Sequence, residues 1–372
     1  MTRIRQEDVI TSIEDGLQYI SFYHPPDFVE AMTSAYEREQ SESARNAIAQ
    51  ILINSRMASE GHRPICQDTG IVVVFAKVGM GCHFSGDLTL QEMVDEGVRR
   101  AWNNAENPLR ASVVSPAFGD RKNTRDNTPA VLHTELVSGD QLEISLAAKG
   151  GGSENKAKLS ILNPSDDIVA WVTETVSHLG AGWCPPGIIG LGIGGTPEKA
   201  AVLAKESLMT PINMSDIVAK GPSTDTERLR LEIYKQVNAL GIGAQGLGGN
   251  TTVLDVKVLH YPTHAASLPV ALIPNCAATR HLHFVLDGSG PVTLKPPRPD
   301  NWPNVSLKAS DRSRKINLDQ TKRQDLQDWK LGETLLLSGT ILTGRDAAHK
   351  RLCALIENGR PLPEGIDFTN RF

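Results

Sequence analysis

Residues 64–80, PICQDTGIVVVFAKVGM, change character at Gly70. The second half is a short, apolar and β-branched run, which is typical of a buried strand. The first half places Cys66 between a proline and a glycine, with Gln67 and Asp68 directly behind it. A thiol gains little as a small hydrophobic group in such a loop. The stretch therefore predicts a polar loop that leads into a buried strand and presents a cysteine for chemistry.

The composition is that of a globular protein. The chain has 372 residues, of which 40% are hydrophobic and 22% charged, and its net charge is −5. An acidic balance without a lysine- or arginine-rich block argues against nucleic-acid binding, and no apolar run is long enough to span a membrane. The N-terminus lacks the apolar core of a signal peptide. We therefore expect a cytoplasmic protein of about two domains, with no nucleic-acid or membrane partner.

Helix and strand patterns alternate along most of the chain. Apolar residues recur at helical spacing in residues 43–61, and the first sixty residues are predicted to be helical. Residues 130–137 and 141–149 alternate apolar and polar side chains, which predicts two strands paired through the turn at 138–140. We predict an α/β or mixed α+β fold, with a helical N-terminal region followed by a mixed sheet with glycine-rich corners.

Composition also predicts the domain boundaries. Residues 1–286 are predicted to form the main domain. Residues 287–330 are rich in proline, glycine and charge, which indicates a linker or crossing segment. Residues 331–372 contain strand patterns and one helix pattern, too little to bury a core alone. We expect this last segment to pack on the first domain or on another chain.

Three glycine-rich stretches could approach an anion. GIGAQG (241–246) matches the dinucleotide fingerprint, but a helix pattern precedes it and Ala266 stands where the acidic residue belongs, which argues against NAD binding. GLGIGG (190–195) is interpreted as a tight strand-to-helix turn, although the helix start can hold an anion. KGGGSENK (149–156) leaves two interpretations open: a flexible loop, or an anion-binding corner built from main-chain N–H groups.

Three of the cysteines share a loop context. Cys66 lies in PICQDTG, Cys184 in GWCPPG and Cys276 in IPNCAATRH. Three thiolates on separate loops could hold three corners of a cubane iron–sulfur cluster, leaving the fourth iron open to substrate. The alternative is three unrelated loop cysteines. The whole set is odd in number and contains no C-x-x-C, which argues against a disulfide framework or a zinc knuckle: Cys66, Cys82, Cys184, Cys276 and Cys353.

Taken together, the motifs resemble the class I, iron–sulfur-dependent fumarate hydratases, a family that includes the tartrate dehydratases. The resemblance covers essentially the whole chain in the right order, through PICQDTG, KGGGSENK, WCPPG, LGIGAQGLGGNTT, PTHAASLP and LSGTILTGRDAAHKR. It implies a [4Fe–4S] cluster held by Cys66, Cys184 and Cys276. It also implies reversible hydration of fumarate to L-malate, a small dicarboxylate substrate and a homodimer.

The resemblance also implies roles for individual residues. Asp68 is similar to the family's carboxylate beside the catalytic base, and His264 to an active-site histidine. Two arginines suit a dianionic C4 acid, because each can clamp one carboxylate. The residues that the resemblance assigns to substrate binding are Gln67, Arg110, Gly152 (through its backbone N–H) and Arg345.

The sequence departs from the family at its C-terminal end. The family carries a further motif with a threonine base, and no such motif occurs in this sequence. We therefore expect residues 1–286 to be the cluster-binding catalytic domain and residues 331–372 to be the incomplete beginning of a swivel-type C-terminal domain. The base would then come from a missing domain or a β subunit, and the isolated chain would be inactive. Two alternatives stay open: a dehydratase of tartrate or a related 2-hydroxy diacid, and an inactive or structural iron–sulfur fragment.

Overall fold

The computed structural model describes residues 2–305, 307, 313–330, 333–342, 344 and 346–368. The chain divides into two compact units, Met1–Ser306 and Leu307–Phe372. Helix and sheet are mixed throughout the first unit, which confirms the predicted mixed α/β class. The predicted domain boundaries after residues 286 and 330 stay predictions.

The first unit begins with a helical region, as the sequence predicts. Its helices are α1 (Gln6–Phe22), α2 (Pro26–Arg38), α3 (Glu42–Gly61), α4 (Leu90–Trp102), α5 (Gly151–Glu154), α6 (Ile168–Leu179), α7 (Pro197–Ser207), α8 (Met214–Lys220) and α9 (Asp225–Ala239). Its strands are β1 (Thr2–Arg5), β2 (Ile71–Gly79), β3 (Cys82–Ser85), β4 (Val114–Ser115), β5 (Lys122–Asn123), β6 (Val131–Val137), β7 (Leu142–Lys149), β8 (Lys158–Leu162), β9 (Gly187–Gly194), β10 (Val253–Tyr261), β11 (Leu268–Asn275) and β12 (His281–Leu286).

The first sheet has the strand order β12-β7-β2-β6. β2 is its central buried strand, as predicted, but the prediction that β6 and β7 pair with each other was wrong. β2 lies between them, parallel to β6 and antiparallel to β7. The turn at 138–140 crosses over the end of β2, where Gly81 N donates to Gly139 O at 2.8 Å. A Cβ on Gly79 would lie 2.7 Å from the Gly139 carbonyl, so only glycine allows this crossing.

The second sheet has the strand order β10-β9-β11-β8. β9 and β10 are parallel, and β11 runs antiparallel to β9. Every residue of β9 is buried, and α7 packs directly on its glycines, since a Cβ on Gly192 would lie 1.9 Å from Ala200 O. We call the end of this sheet where β9 and β10 begin and β11 finishes the cysteine end, because Cys184 precedes β9 and Cys276 follows β11.

Residues 287–305 belong to the first unit and pack on its helices. Trp302 is buried among the side chains of α2 and α3, and its Nε1 donates to Ser55 Oγ at 2.8 Å. The second unit contains a parallel pair of strands, β13 (Arg314–Asn317) and β14 (Leu335–Ser338), and helix α10 (Asp346–Glu357). Among the residues that the structure describes, no helix is long and apolar enough to cross a membrane.

Candidate active site

The Cys184 and Cys276 loops are neighbours at the cysteine end. Asn275, the last residue of β11, pairs with Ile188 of β9. Beyond these ends of the two strands, Ala277 N donates to Cys184 O at 3.0 Å. Cys184 is exposed and Cys276 half-buried, so both lie at the surface of this end rather than in the core.

The Cys66 loop is tied to the same region through the N-terminal helices. Ile65 N donates to Ser21 O at 2.8 Å, and Asn54 Nδ2 donates to Ile65 O at 2.9 Å. Cys66 itself is half-buried, and its thiol donates to Gln67 Oε1 at 3.2 Å. The helices α1 and α3 therefore hold the loop that carries the first predicted ligand.

A buried histidine that sequence reasoning missed links these helices to the Cys276 loop. His24 Nε2 lies 3.0 Å from Ala277 O, and Nδ1 lies 2.8 Å from Ser55 Oγ. Because a carbonyl only accepts, Nε2 carries the proton and Nδ1 accepts from the serine hydroxyl. Burial lowers the pKa of His24 to about 3 against the opposing hydrogen bond to Ala277. The residue is thus a neutral bridge behind the cysteine loops, and YHPP (23–26) ahead of α2 was the available signal.

Asp68 is held at the start of the Gly150–Gly152 corner. Its Oδ1 accepts from Gly70 N at 3.0 Å, and its Oδ2 accepts from Gly151 N at 2.8 Å. A Cβ on Gly152 would meet nothing within 4 Å, and the φ of this residue is not in the left-handed region. Neither packing nor backbone geometry of the described chain requires glycine there, so the space next to Gly152 is open, one residue from the amide that Asp68 binds.

The first lysine of KGGGSENK, Lys149, points inward. Lys149 is buried, and its Nζ donates to Ser153 Oγ at 2.8 Å and lies 3.3 Å from Glu154 Oε2. Lys205 of α7 also pairs with Glu154. Burial lowers the pKa of Lys149 to about 8, while the Glu154 charge opposes that change. The corner is therefore a short helical turn fixed by ion pairs, and its lysine charge is partly compensated by Glu154.

Arg110 lies beside the Asp68 loop with its side chain exposed. Thr69 Oγ1 donates to Arg110 O at 2.5 Å. Asn127 Nδ2 donates to Gly70 O at 3.0 Å, while its Oδ1 accepts from Ser112 N at 2.7 Å. These hydrogen bonds place the Arg110 backbone beside the loop of Gln67 and Asp68, and the Arg110 side chain is exposed. Asp68 in turn joins that loop to the Gly150–Gly152 corner through Gly151 N.

Arg280, four residues after Cys276, is a buried cation with unused donors. Its side chain is 3% exposed, and its Nε and Nη2 atoms have no hydrogen-bond partner among the described residues. Nη2 and Asp68 Oδ2 lie 3.6 and 3.2 Å from the position that a Cβ on Gly150 would occupy. Unpaired buried donors are costly, and these donors lie directly behind the Asp68 loop.

Two predicted residues are not brought into this neighbourhood. His264 lies on the exposed loop between β10 and β11, at the opposite end of the second sheet from Cys184 and Cys276. Strands rise about 3.3 Å per residue, so the length of β9 separates the two ends by roughly 20 Å. Arg345 lies outside the described residues. Within the described part of the chain, no three His, Cys, Asp or Glu side chains are grouped to hold a metal ion.

Comparison with known proteins gives two family matches. Residues 10–285 match the model described as fumarate hydratase (fumerase), and residues 288–372 match the model described as fumarase C-terminus. A putative L(+)-tartrate dehydratase subunit alpha from Methanocaldococcus jannaschii is 37% identical over 266 residues, which is 70% of this chain and 91% of that protein.

Two longer relatives are named as fumarate hydratases. Fumarate hydratase 2 of Leishmania major is 31% identical over 88% of this chain, and the anaerobic class I fumarate hydratase of Escherichia coli K12 is 30% identical over 89% of it. The matches cover 59% and 62% of those two proteins. The family matches along its length and these identities show that the chain belongs to the fumarate hydratase family. The relatives named above are hydro-lyases.

Proposed function

We propose that this chain is a hydro-lyase that holds a [4Fe–4S] cluster on Cys66, Cys184 and Cys276 and takes part in the reversible hydration of fumarate to L-malate. The observation that carries the proposal is that the Cys184 and Cys276 loops are hydrogen-bonded to each other, and that His24 links the Cys276 loop to α3, the helix that also holds the Cys66 loop. The Cys184 and Cys276 loops meet through the hydrogen bond from Ala277 N to Cys184 O. His24 connects them to the Cys66 loop indirectly, because it contacts both Ala277 O and Ser55 of α3.

The residues present fit such a cluster. A cubane bonds its cysteines through separate iron atoms, so the thiols need not surround one point as they would around a single ion. Thiolate ligands bring negative charge into the site. Arg280 supplies a buried positive charge with two unused donors nearby, and hydrogen bonds to sulfur are one of the means by which proteins tune clusters. When bound, the cluster would supply an open iron as a Lewis acid for the substrate hydroxyl.

The chain's own residues would bind the acid and handle the proton. Arg110 offers an exposed guanidinium for one carboxylate, and the second cation of the pair is assigned to Arg345. The open space at Gly152 lets the substrate approach its backbone N–H. Asp68, fixed by two backbone N–H groups, would accept or relay the proton at a carboxylate oxygen next to the catalytic base.

We further propose that the base and the remaining contacts come from outside the described residues. The tartrate dehydratase relatives are named as alpha subunits, which supports a β subunit or an equivalent C-terminal domain as the source of a threonine base. His264 lies at the far end of the sheet. If it serves a cysteine end, it serves that of a second copy, which is a reason to propose a homodimer.

Tartrate is the second candidate substrate. The observation that favours it is the 37% identity to the M. jannaschii protein named as a tartrate dehydratase subunit, over 91% of that protein's length. Arg110 and Gly152 recognise features that fumarate, malate and tartrate share. The substrate hydroxyl groups must therefore be distinguished by other residues.

The test is an assay of the anaerobically reconstituted protein with fumarate, L-malate and L-tartrate. We expect negligible turnover by the chain alone and restored turnover when it is co-expressed with a C-terminal region carrying the family's threonine motif. Gly152→Ala, which meets no steric obstacle, is the matched variant: it should fold normally and lose substrate binding. Cluster binding without turnover of any diacid in either form would contradict the enzymatic proposal.

A further inference from the structure

The GIGAQG stretch, which resembles a dinucleotide fingerprint, has a different use in the structure. Residues 241–248, here called the glycine loop, connect α9 to β10. The loop folds back on itself, with Gly248 N donating to Ile242 O at 3.0 Å. A Cβ on Gly243 would lie 1.5 Å from Gly248 O, so this close approach requires glycine. The glycines therefore make a rigid, compact loop and leave no helix start for a pyrophosphate.

The glycine loop is hydrogen-bonded to Pro185, the residue that follows Cys184. Gln245 N donates to Pro185 O at 2.8 Å, and Gln245 Nε2 donates to the same oxygen at 2.7 Å. Gln245 has φ +53°, in the left-handed region, which is unfavourable for a residue with a side chain unless its surroundings fix it. That conformation directs both donors of one residue to one carbonyl. The side chain is otherwise exposed, so core packing does not explain its position.

Cys184 is consequently held from two sides. Its own carbonyl accepts from Ala277 N, and the next carbonyl accepts twice from Gln245. Cys184 also has a left-handed φ, +59°. Such a conformation persists in a non-glycine residue only where the surrounding contacts fix it. The two hydrogen bonds from Gln245 to Pro185 O, here called the Gln245 clamp, and the bond from Ala277 N are among these contacts, together with the bond from Cys184 N to Ala181 O at 3.0 Å.

We infer that Gln245 is a positioning residue for Cys184, which fixes the thiol in the orientation needed to hold its corner of the cluster. This inference rests on the proposed function. It assigns to GIGAQG a role in ligand geometry instead of nucleotide binding. It also accounts for a glutamine in the left-handed conformation at an exposed loop tip.

The experiment compares Gln245→Asn with the wild-type protein, in the apoprotein and after reconstitution. Asparagine tolerates the left-handed region, keeps the backbone donor and is one methylene too short to reach Pro185 O. Gln245→Gly, which adopts this φ without strain, provides a second variant that folds at least as easily. The control is Gln236→Asn on α9, whose exposed side chain donates to Glu232 instead.

In the apoprotein we expect the amides of Cys184 and Ala277 to exchange with solvent about fivefold faster in both Gln245 variants, the effect of losing one hydrogen bond. After reconstitution we expect about fivefold faster iron release to a chelator and an altered EPR signature of the cluster. Unchanged exchange and unchanged iron release would overturn the inference, and so would faster exchange with an unaltered cluster. If the wild-type protein takes up no iron but amide exchange is faster in the variants, the proposed function is refuted. The contact of Gln245 with Pro185 would then still position Cys184, but for no cluster.

Discussion

The two ends of the second sheet are built differently. At the cysteine end, a neutral histidine, a lysine and an arginine are buried near the loops of Cys184 and Cys276, and hydrogen bonds connect loops far apart in sequence. At the opposite end, residues 260–266 are all exposed, and the His264 side chain accepts from Ala266 N, two residues along the same loop.

The difference shows where this chain tolerates costly polar burial. Burying a polar group is unfavourable unless a partner satisfies it, and such groups concentrate at functional sites. The loop at 262–267 has the features of a surface connection or an interface. The cysteine end has those of a site that must hold several loops in one geometry. Each prediction below tests this contrast, in order of its expected effect on the free energy of unfolding.

The largest effect is expected for Asp255→Ala, near the start of β10 at the cysteine end. Asp255 is fully buried, 2.9 Å from Arg230 Nη2 and 2.7 Å from Lys257 Nζ. Its removal leaves two buried cations without their carboxylate, which costs about 3–5 kcal/mol. Denaturant unfolding measures the loss. His264→Ala is the control at the opposite end and should leave the free energy of unfolding nearly unchanged; equal effects of the two variants would contradict the contrast.

Arg280→Met should act with the opposite sign in the apoprotein. It removes a buried guanidinium with two unpaired donors and keeps an unbranched side chain. We expect the free energy of unfolding of the apoprotein to rise by about 1–3 kcal/mol, while iron retention after reconstitution falls. A less stable apoprotein would mean that Arg280 is needed for the fold itself rather than for an anion bound there.

The pH dependence should follow His24. In the folded protein the pKa of His24, about 3, lies below its ordinary value of 6.5. The contribution of His24 to the free energy of unfolding is therefore complete above pH 6.5 and is lost as the pH falls toward 3. The slope is about 1.4 kcal/mol per pH unit for one such group. His281, whose pKa burial lowers to about 4, adds in the same direction. The free energy of unfolding of apo His24→Gln should be lower than that of the wild type at pH 7, but it should fall less between pH 7 and pH 5. Parallel pH curves for the two proteins would contradict this.

Local patterns predicted the elements well, because β-branched runs and helical periodicity act over a few residues. The helical N-terminus and the buried strand of residues 71–79 were found in this way. The pairing of β6 with β7 was wrong, because the sequence separation of two strands says nothing about a third strand between them. The deciding signal was Gly79, where a turn crosses the end of β2.

The candidate site was predicted only where a motif carried it. Cys66, Asp68 and Gly152 stand in recognisable motifs, and Asp68 joins their two loops through Gly151 N, while the roles assigned to these residues stay predictions. His24 and Gln245 were missed because their roles depend on contacts with Ala277 and Pro185, which lie far away in the sequence. The separation of His264 from the cysteines follows from the strand directions of the sheet, which a loop motif does not encode.

The most direct test is the iron and sulfide content of the anaerobically reconstituted chain, with EPR, for the wild-type protein, Cys184→Ala and Cys82→Ala. Cys82 lies in β3, away from the cysteine end, and is the matched control. The three-thiolate site predicts about four iron and four sulfide per chain in the wild type and in Cys82→Ala, and loss of most of the cluster in Cys184→Ala. Full cluster retention in Cys184→Ala would contradict the assignment of this loop as a ligand.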